Sequence, residues 1–358
     1  MTPPDPIPTS ADEIDAAWLT HALAERHPGV RVAAVEPIER HEVTNSHARL
    51  RIRYDEAAGA PATLFCKLLP REPGRREAIA ETGMGTREAR FYAELAATLA
   101  LRVPRAYCAR HGRGGAFVLL LEDLVASGCT VSAGPRGVAP DAAAVALAQL
   151  AELHVRFEDP ARRRAEAGWV PEPGPGSDYG VARLQYGLDH HRARLSRAFA
   201  ELSELYIAKQ GALHELWQAG PLTLIHGDTH IGNLFDDAGR TGFLDWGMTM
   251  VGTPLRDASY FLNMALAIED RRRHERDLLR HYLAARAALG GIPIGFDEAW
   301  LAHRIHAAYT VPASCQIVTF PEGASEKRRI FADAFLARAE AAIEDLESRA
   351  ALREVAGL

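Results

Sequence analysis

The chain has 358 residues, a length that suits about two domains or one two-lobed domain. Hydrophobic residues make up 47% and charged residues 25%, ordinary values that exclude a disordered chain, a collagen-like repeat and a coiled coil. A formal charge of −6 offers no basic field for nucleic acid. Cys66, Cys108, Cys129 and Cys315 are scattered without a Cys-x-x-Cys pair, which excludes a zinc ribbon and a disulfide framework and suits a reducing cytoplasm.

Residues 1–10 hold prolines but neither Lys nor Arg, so they are no secretory signal and are expected to be loose. The longest aliphatic and aromatic run, residues 116–121, falls far short of the roughly 20 residues a membrane span needs. Ser10-x-x-Glu13 has the form of a capping box and predicts a helix to about Arg26. Over residues 48–54, Leu50, Ile52 and Tyr54 alternate with Arg49, Arg51 and Arg53, which predicts a strand. A second strand follows over residues 63–69, after the turn at Gly59-Ala60-Pro61. Residues 70–85 are punctuated by Pro73, Gly74, Gly83 and Gly85, and a helix is predicted over residues 86–99. Residues 103–111 and 116–121 form a hairpin around the glycines of 112–115.

After Leu124 the character changes. Residues 127–140 read as a linker, 141–158 as an alanine-rich helix and 169–180 as a Pro/Gly loop. Residues 188–218 read as helical with a break near Gly211, and 222–226 as a short strand. Helices then run from about Asp257 onward, interrupted at residues 290–295 and near Pro312 and Pro321. The predicted fold class is α+β. A small antiparallel-sheet lobe with one inserted helix (residues 1–124) precedes a larger, mainly helical lobe (residues 125–358).

Residues 224–247, LIHGDTHIGNLFDDAGRTGFLDWG, carry the chemistry. Asp228 follows an apolar strand in a tight, glycine-containing turn. Asn233 lies five residues on, and a hairpin turning at residues 236–240 returns Asp245 towards Asn233. One carboxylate and one amide oxygen suit Mg²⁺, a hard cation that completes its shell with phosphate oxygens and water. Asp228 is then left to orient and deprotonate a hydroxyl.

The run His226-Gly227-Asp228-Thr229-His230-Ile231-Gly232-Asn233, followed by Asp245-Trp246-Gly247, resembles the aminoglycoside phosphotransferase and choline kinase family, nearest its bacterial ecdysteroid-kinase-like branch. The likeness extends over residues 43–257. It implies the two-lobed protein-kinase-like fold, with Asp228 as catalytic base and Asn233 and Asp245 as magnesium ligands. By the same resemblance His226 braces the loop, His230 is characteristic of the motif, and Asp257 supports the loop from the start of a helix. A rival grouping, His226-x-Asp228-x-His230 as the metal triad of a hydrolase, leaves Asn233 and Asp245 unused.

A kinase-like site also needs a cation for the phosphates. Lys67, the one lysine in the first two hundred residues, lies mid-strand among apolar neighbours, where it is costly unless paired. Its expected partner is Glu88, which shares a helix face with Phe91, Tyr92 and Leu95, with Glu77 or Glu81 as the alternatives for a different helix register. The resemblance adds Asn45 and Ser46 as phosphate-loop residues, although the loop lacks glycine, and Glu122 and Leu124 as the hinge that meets adenine through backbone groups. His154 reads as a core or loop-bracing residue. Residues 169–186, 248–253 and 302–320 are expected to wall the acceptor pocket, with more aromatic than acidic side chains.

These residues predict an ATP- and Mg²⁺-dependent phosphotransferase that clamps ATP between its lobes and acts on a hydroxyl of a small molecule. It is expected in the cytoplasm, with no nucleic acid, membrane or obligate protein partner. The alternatives are a non-catalytic nucleotide-binding regulator of the same fold and a protein kinase. The motif lacks the His-Arg-Asp form and the Ala-Pro-Glu segment of the latter.

Overall fold

The computed structural model describes residues 6–132 and 134–358, so the expectation for residues 1–5 lies outside them. The chain divides into two units. One comprises Met1–Val131 with Gly242–Met248, the other Ser132–Thr241 with Thr249–Leu358.

The first unit begins with α1 (Ala16–Leu23). The strands β1 (Arg31–Glu42), β2 (Ser46–Glu56) and β3 (Thr63–Leu68) follow, then α2 (Pro73–Glu81) and α3 (Met84–Arg90), then β4 (Ala106–His111) and β5 (Phe117–Glu122). The five strands form one antiparallel sheet in the order β1-β2-β3-β5-β4. Alternation makes its core: Leu50, Ile52, Leu64, Cys66, Leu68, Val118 and Leu120 are buried against Trp18, Leu19 and Leu23 of α1.

Four expectations are corrected here. The capping box does not form, because Glu13 turns back to the N–H and hydroxyl of Thr9, at 2.7 and 2.6 Å. Asp15 caps α1 instead. Residues 6–10 are tied down rather than loose, since the Trp18 indole also donates to the Pro6 carbonyl at 3.0 Å. The inserted helix is two helices, because Pro73 sits in the first turn of α2, where a missing N–H costs nothing, and Glu72 caps it. The predicted helix over residues 86–99 starts earlier and ends at Arg90, continuing as the wide turn Phe91–Leu95 and the tight turn Ala96–Thr98.

A two-residue strand, β6 (Thr130–Val131), interrupts the expected linker. The second unit then holds α4 (Pro140–Arg156), α5 (Pro160–Ala167), α6 (Asp178–His191) and α7 (Arg197–Trp217). The short strands β7 (Thr223–Ile225), β8 (Leu234–Asp237), β9 (Arg240–Phe243) and β10 (Met250–Gly252) follow, β9 ending in the first unit. Next come α8 (Pro254–Ala265), α9 (Ile268–Ala288), α10 (Phe296–His306), α11 (Thr310–Ala313), α12 (Glu326–Asp345) and α13 (Ser348–Ala356). Residues 188–218 are not one helix. Ser196 caps a separate α7, whose kink falls at Lys209 rather than Gly211. The loop after Trp169 is shorter than expected, because Ser177 caps α6. Phe199, Tyr206, Trp217, Tyr260, Met264 and Phe335 anchor this unit's core. The class stands as expected: an antiparallel-sheet unit and a mainly helical one.

Candidate active site

Strand alternation decides where Lys67 points. Cys66 and Leu68 face the core under α1, so Lys67 leaves the opposite face of β3. Gly85 lets α3 come close there, since a Cβ on it would lie 2.1 Å from the Phe117 ring. The helix then delivers Glu88, 2% exposed, to Lys67, 4% exposed. The Lys67 Nζ lies 2.5 Å from Glu88 Oε2 and donates to Asp245 Oδ1 at 3.0 Å. Burial alone would draw the ammonium's pKa down. The Asp245 and Glu88 carboxylates outweigh it and hold the pKa above the ordinary lysine value. Burial pushes Glu88 up to about 7, with only part of the effect offset by Lys67.

The segment bearing Asp245 is fastened to α3 by its neighbours. Trp246 stacks on Phe91 with ring centres 3.8 Å apart and planes 6° apart. The Trp246 N–H donates to Glu88, and Arg87 Nε donates to the Gly247 carbonyl at 2.8 Å. Asp245 itself takes a left-handed backbone, φ +61°. A non-glycine residue stays in that region only where its surroundings over-determine it, and these contacts do so.

In the second unit one carboxylate organises the motif loop. Asp257, buried in the first turn of α8, accepts from the N–H groups of His226 and Gly227 at 2.7 and 2.8 Å. Its carbonyl accepts from the Thr229 hydroxyl at 3.1 Å. His154 meets it through Nε2 at 3.4 Å, and Nδ1 accepts from the Tyr282 hydroxyl at 2.7 Å. This tautomer follows because a carboxylate only accepts. Burial would raise the Asp257 pKa, and these donors keep it below the usual carboxylate range. Burial lowers the pKa of His154. Gly227, at φ +82°, makes the sharp turn that aims both N–H groups at Asp257.

That loop presents Asp228. Its N–H donates to His226 Nδ1 at 3.2 Å. The Asn233 amide donates to the Asp228 carbonyl and to Oδ2 at 2.9 and 2.8 Å. His230 accepts from the Gly232 N–H at 2.9 Å and turns Nε2 to within 3.5 Å of Asp228 Oδ2. The Asp228 carboxylate is thus fixed on one side and 30% exposed.

The oxygens fit Mg²⁺. Because the Asn233 nitrogen is committed to Asp228, its Oδ1 is left as an oxygen of the kind Mg²⁺ takes, and the Asp245 carboxylate is, in its own unit, another of that kind. Asn233 belongs to the second unit and Asp245 to the first. The hydrolase triad finds no support: both Nδ1 atoms of His226 and His230 accept from backbone N–H groups. Among the described residues, no group of three or more His, Cys, Asp or Glu side chains is arranged to hold a metal ion.

Ser46 lies within β2 rather than in a loop, opposite Leu68, and Asn45 is buried with Oδ1 unpartnered. His47, not among the residues expected at the site, pairs directly with Lys67 across β2 and β3. Burial and the Lys67 charge pull its pKa to about 4, and its buried Nε2 has no partner. Alternation is the signal that finds it. The Glu122 N–H is spent on the Arg105 carbonyl at 2.7 Å and the Leu124 carbonyl on the Cys129 N–H at 2.9 Å. Arg102 grips the Glu122 carboxylate with two bonds of 3.0 Å. Arg87, Arg256 and Tyr260 are likewise passed over, since a single arginine or tyrosine in a helix carries no spacing signal.

The family model described as the phosphotransferase enzyme family matches residues 59–292. No curated protein matches the chain. Among solved structures, a putative aminoglycoside phosphotransferase from Ralstonia eutropha JMP134 is similar at 16% identity and TM-score 0.51, covering 92% of this chain and 98% of its own. The choline kinase LicA from Streptococcus pneumoniae is similar at 14% identity and TM-score 0.51, with 93% and 98% covered. The GDP complex of wild-type aminoglycoside 2'-phosphotransferase-IIIa is similar at 14% and 0.51, with 93% and 99% covered. At these identities the likeness is one of fold, and that fold is protein-kinase-like.

Proposed function

The chain belongs to the phosphotransferase enzyme family, and from that premise we propose that it transfers the γ-phosphate of ATP to a hydroxyl of a small molecule. The observation that carries this reading is the buried Lys67 held against both Glu88 and Asp245. A cation kept charged in an apolar strand needs anions, and a compact ammonium suits phosphate oxygens. Glu88 aims it, and Asn45, Ser46 and His47 line the same end of the sheet. The Leu124 N–H is the donor offered to adenine.

Asn233 and Asp245 would hold Mg²⁺, which when bound neutralises phosphate charge. Asp228 accepts a hydrogen bond from the acceptor hydroxyl and takes its proton as the oxygen bonds to the γ-phosphorus. The bond from that phosphorus to the bridging oxygen breaks, and ADP leaves with the electron pair. Asn233 keeps Asp228 aimed, while Asp257, His154 and His226 keep the loop in shape. The names of the solved relatives support a small-molecule acceptor.

The test is magnesium-dependent ADP release against pooled hydroxyl compounds, with Asp228→Asn as control. A signal lost in the variant supports the reading. A signal that survives there rejects Asp228 as base.

A further inference from the structure

The second unit buries an arginine without an acid. Arg256, on the first turn of α8, is 5% exposed and forms no ion pair among the described residues. Its partners are the Met250 sulfur at 3.1 Å and the Tyr309 hydroxyl. Its guanidinium lies over the Tyr309 ring at 4.2 Å, and Nε has no acceptor. Fully buried guanidinium groups normally meet carboxylates, because desolvating the charge is costly. Elsewhere in this unit Arg271 pairs with Glu275 and Asp345 and Arg286 with Glu158, while Arg338, also without an ion pair, has the Leu266, Ala334 and Pro135 carbonyls as acceptors.

Arg256 also lies near the proposed base. Tyr260 has a buried, unpartnered hydroxyl and rings 6.3 Å from His230 and 5.6 Å from Tyr309. Burial, then Asp228, raise its phenol pKa, and Arg256 opposes them. Cys315 feels both Arg183 and Asp228. Arg183 stacks over Tyr179 at 4.3 Å, and its buried Nε has no partner either. Arg256 acts on Tyr206 and Tyr260, Arg183 on Cys315, and Asp228 on Tyr260 and Cys315. Beyond Gln316, which donates to Tyr179, opens a groove of about 240 Å³. Ile317, Phe320 and Phe331 give it an apolar floor, and Arg194, Arg328 and Arg329 stand around it. Asp333 is the one acid there, 3.8 Å from Arg194. Phe331 reaches the catalytic loop, with its ring 6.1 Å from His230.

We propose that the acceptor is an alcohol with an apolar body and an oxyanion, a carboxylate or a phosphate monoester, and that Arg256 is the cation that pairs with it. This rests on the phosphotransferase reading above. An amine-bearing acceptor would meet Arg256 and Arg183 as like charges. An oxyanion supplies the acceptor that the buried guanidinium lacks, and the groove takes the hydrocarbon.

The experiment measures equilibrium binding and ADP release separately on the full chain with Mg²⁺ and a nucleotide. The probes are ω-hydroxydodecanoate, ω-hydroxydodecyl phosphate, dodecanediol and ω-aminododecanol. An anionic probe is expected to bind at least about tenfold tighter than the diol, with the amino alcohol weakest. The better of the two anionic probes identifies the oxyanion. Arg256→Met should bring the ratio of anion to diol to within about twofold, and Arg256→Lys should recover most of it. A purely structural Arg256 would weaken all four probes alike and leave that ratio unchanged, which would overturn the proposal. So would tighter binding of the amino alcohol, or an anionic probe no better than the diol. Anion-selective binding without ADP release would leave the proposal standing and count against the kinase reading instead.

Discussion

The two groups of proposed functional residues, one in each unit, are held by opposite means. Around Lys67 the first unit uses charge: one buried ammonium faces two carboxylates, leaving one negative charge in excess. Around Asp228 the second unit uses hydrogen bonds: one buried carboxylate, Asp257, gathers backbone N–H groups and a neutral histidine, and the proposed base is aimed by an amide. A charge cluster responds to the ions that enter it, and so it suits phosphates and a metal ion. A satisfied hydrogen-bond network has one geometry, and so it suits a group whose direction matters. The comparison breaks if damage to one half behaves like damage to the other.

The largest effect belongs to Asp228→Asn. The amide keeps the side chain's shape but cannot take a proton, so transfer should fall about 10²–10⁴-fold or more. ATP affinity should hardly change, which a nucleotide titration checks. Lys67→Ala should do the reverse, raising the ATP concentration needed for half-maximal rate along with slowing transfer. It also strands Glu88 beside Asp245, so Glu88 should take up its proton at still higher pH. An unchanged ATP dependence would count against the role given to Lys67.

Asp257→Asn comes next. It replaces a carboxylate with three contacts by a group that must turn an NH₂ towards one of their donors, at a cost of about 2–4 kcal/mol. Thermal unfolding should shift down and transfer should drop, since the loop carrying Asp228 loosens. Nucleotide affinity should fall less than in Lys67→Ala. Equal losses would erase the contrast between the halves.

The pH dependence is smaller and its sign is specific. Glu88 is pushed up to about 7 by burial. As the pH falls below about 7 it gains a proton and no longer holds Lys67 as an ion pair, so the transfer rate should fall. Stability runs the other way. A folded-state pKa above the ordinary carboxylate value of 4.5 means the folded chain holds that proton more tightly. Glu88's contribution to stability is therefore full below 4.5 and lost as the pH rises through about 7. Rate and unfolding profiles recorded on the same samples between those values should diverge, and Glu88→Gln should flatten the stability limb.

Much of this was legible in the sequence because the chemistry is local. Asp228 and Asn233 sit five residues apart on one loop, and strand alternation forces Lys67 to one face. The antiparallel sheet and the helical unit follow from period-2 and helical patterns. What was not legible came from packing over long separations. Proline and glycine punctuation hid α2, because Pro in a first helical turn reads like a loop. His47 gains its meaning only from strand register. Arg256 gains its own only from having no ion-pair partner among the described residues. No spacing rule reports such an absence.

The smallest expected effect tests how Asp245 is held. Asp245 stays left-handed because Trp246 stacks on Phe91 and Arg87 grips the Gly247 carbonyl. Arg87→Ala removes the hydrogen bond to the Gly247 carbonyl together with an exposed one to the Thr82 carbonyl and leaves the stack intact, so unfolding should shift by about 1–3 kcal/mol. The strained backbone then has one fewer restraint, and magnesium affinity should weaken severalfold, with little change in metal-free nucleotide binding. Loss of nucleotide binding without loss of magnesium affinity would mean that Arg87 supports the Lys67–Glu88 pair instead. The charge cluster and the Asp245 segment would then be one mechanical unit rather than two.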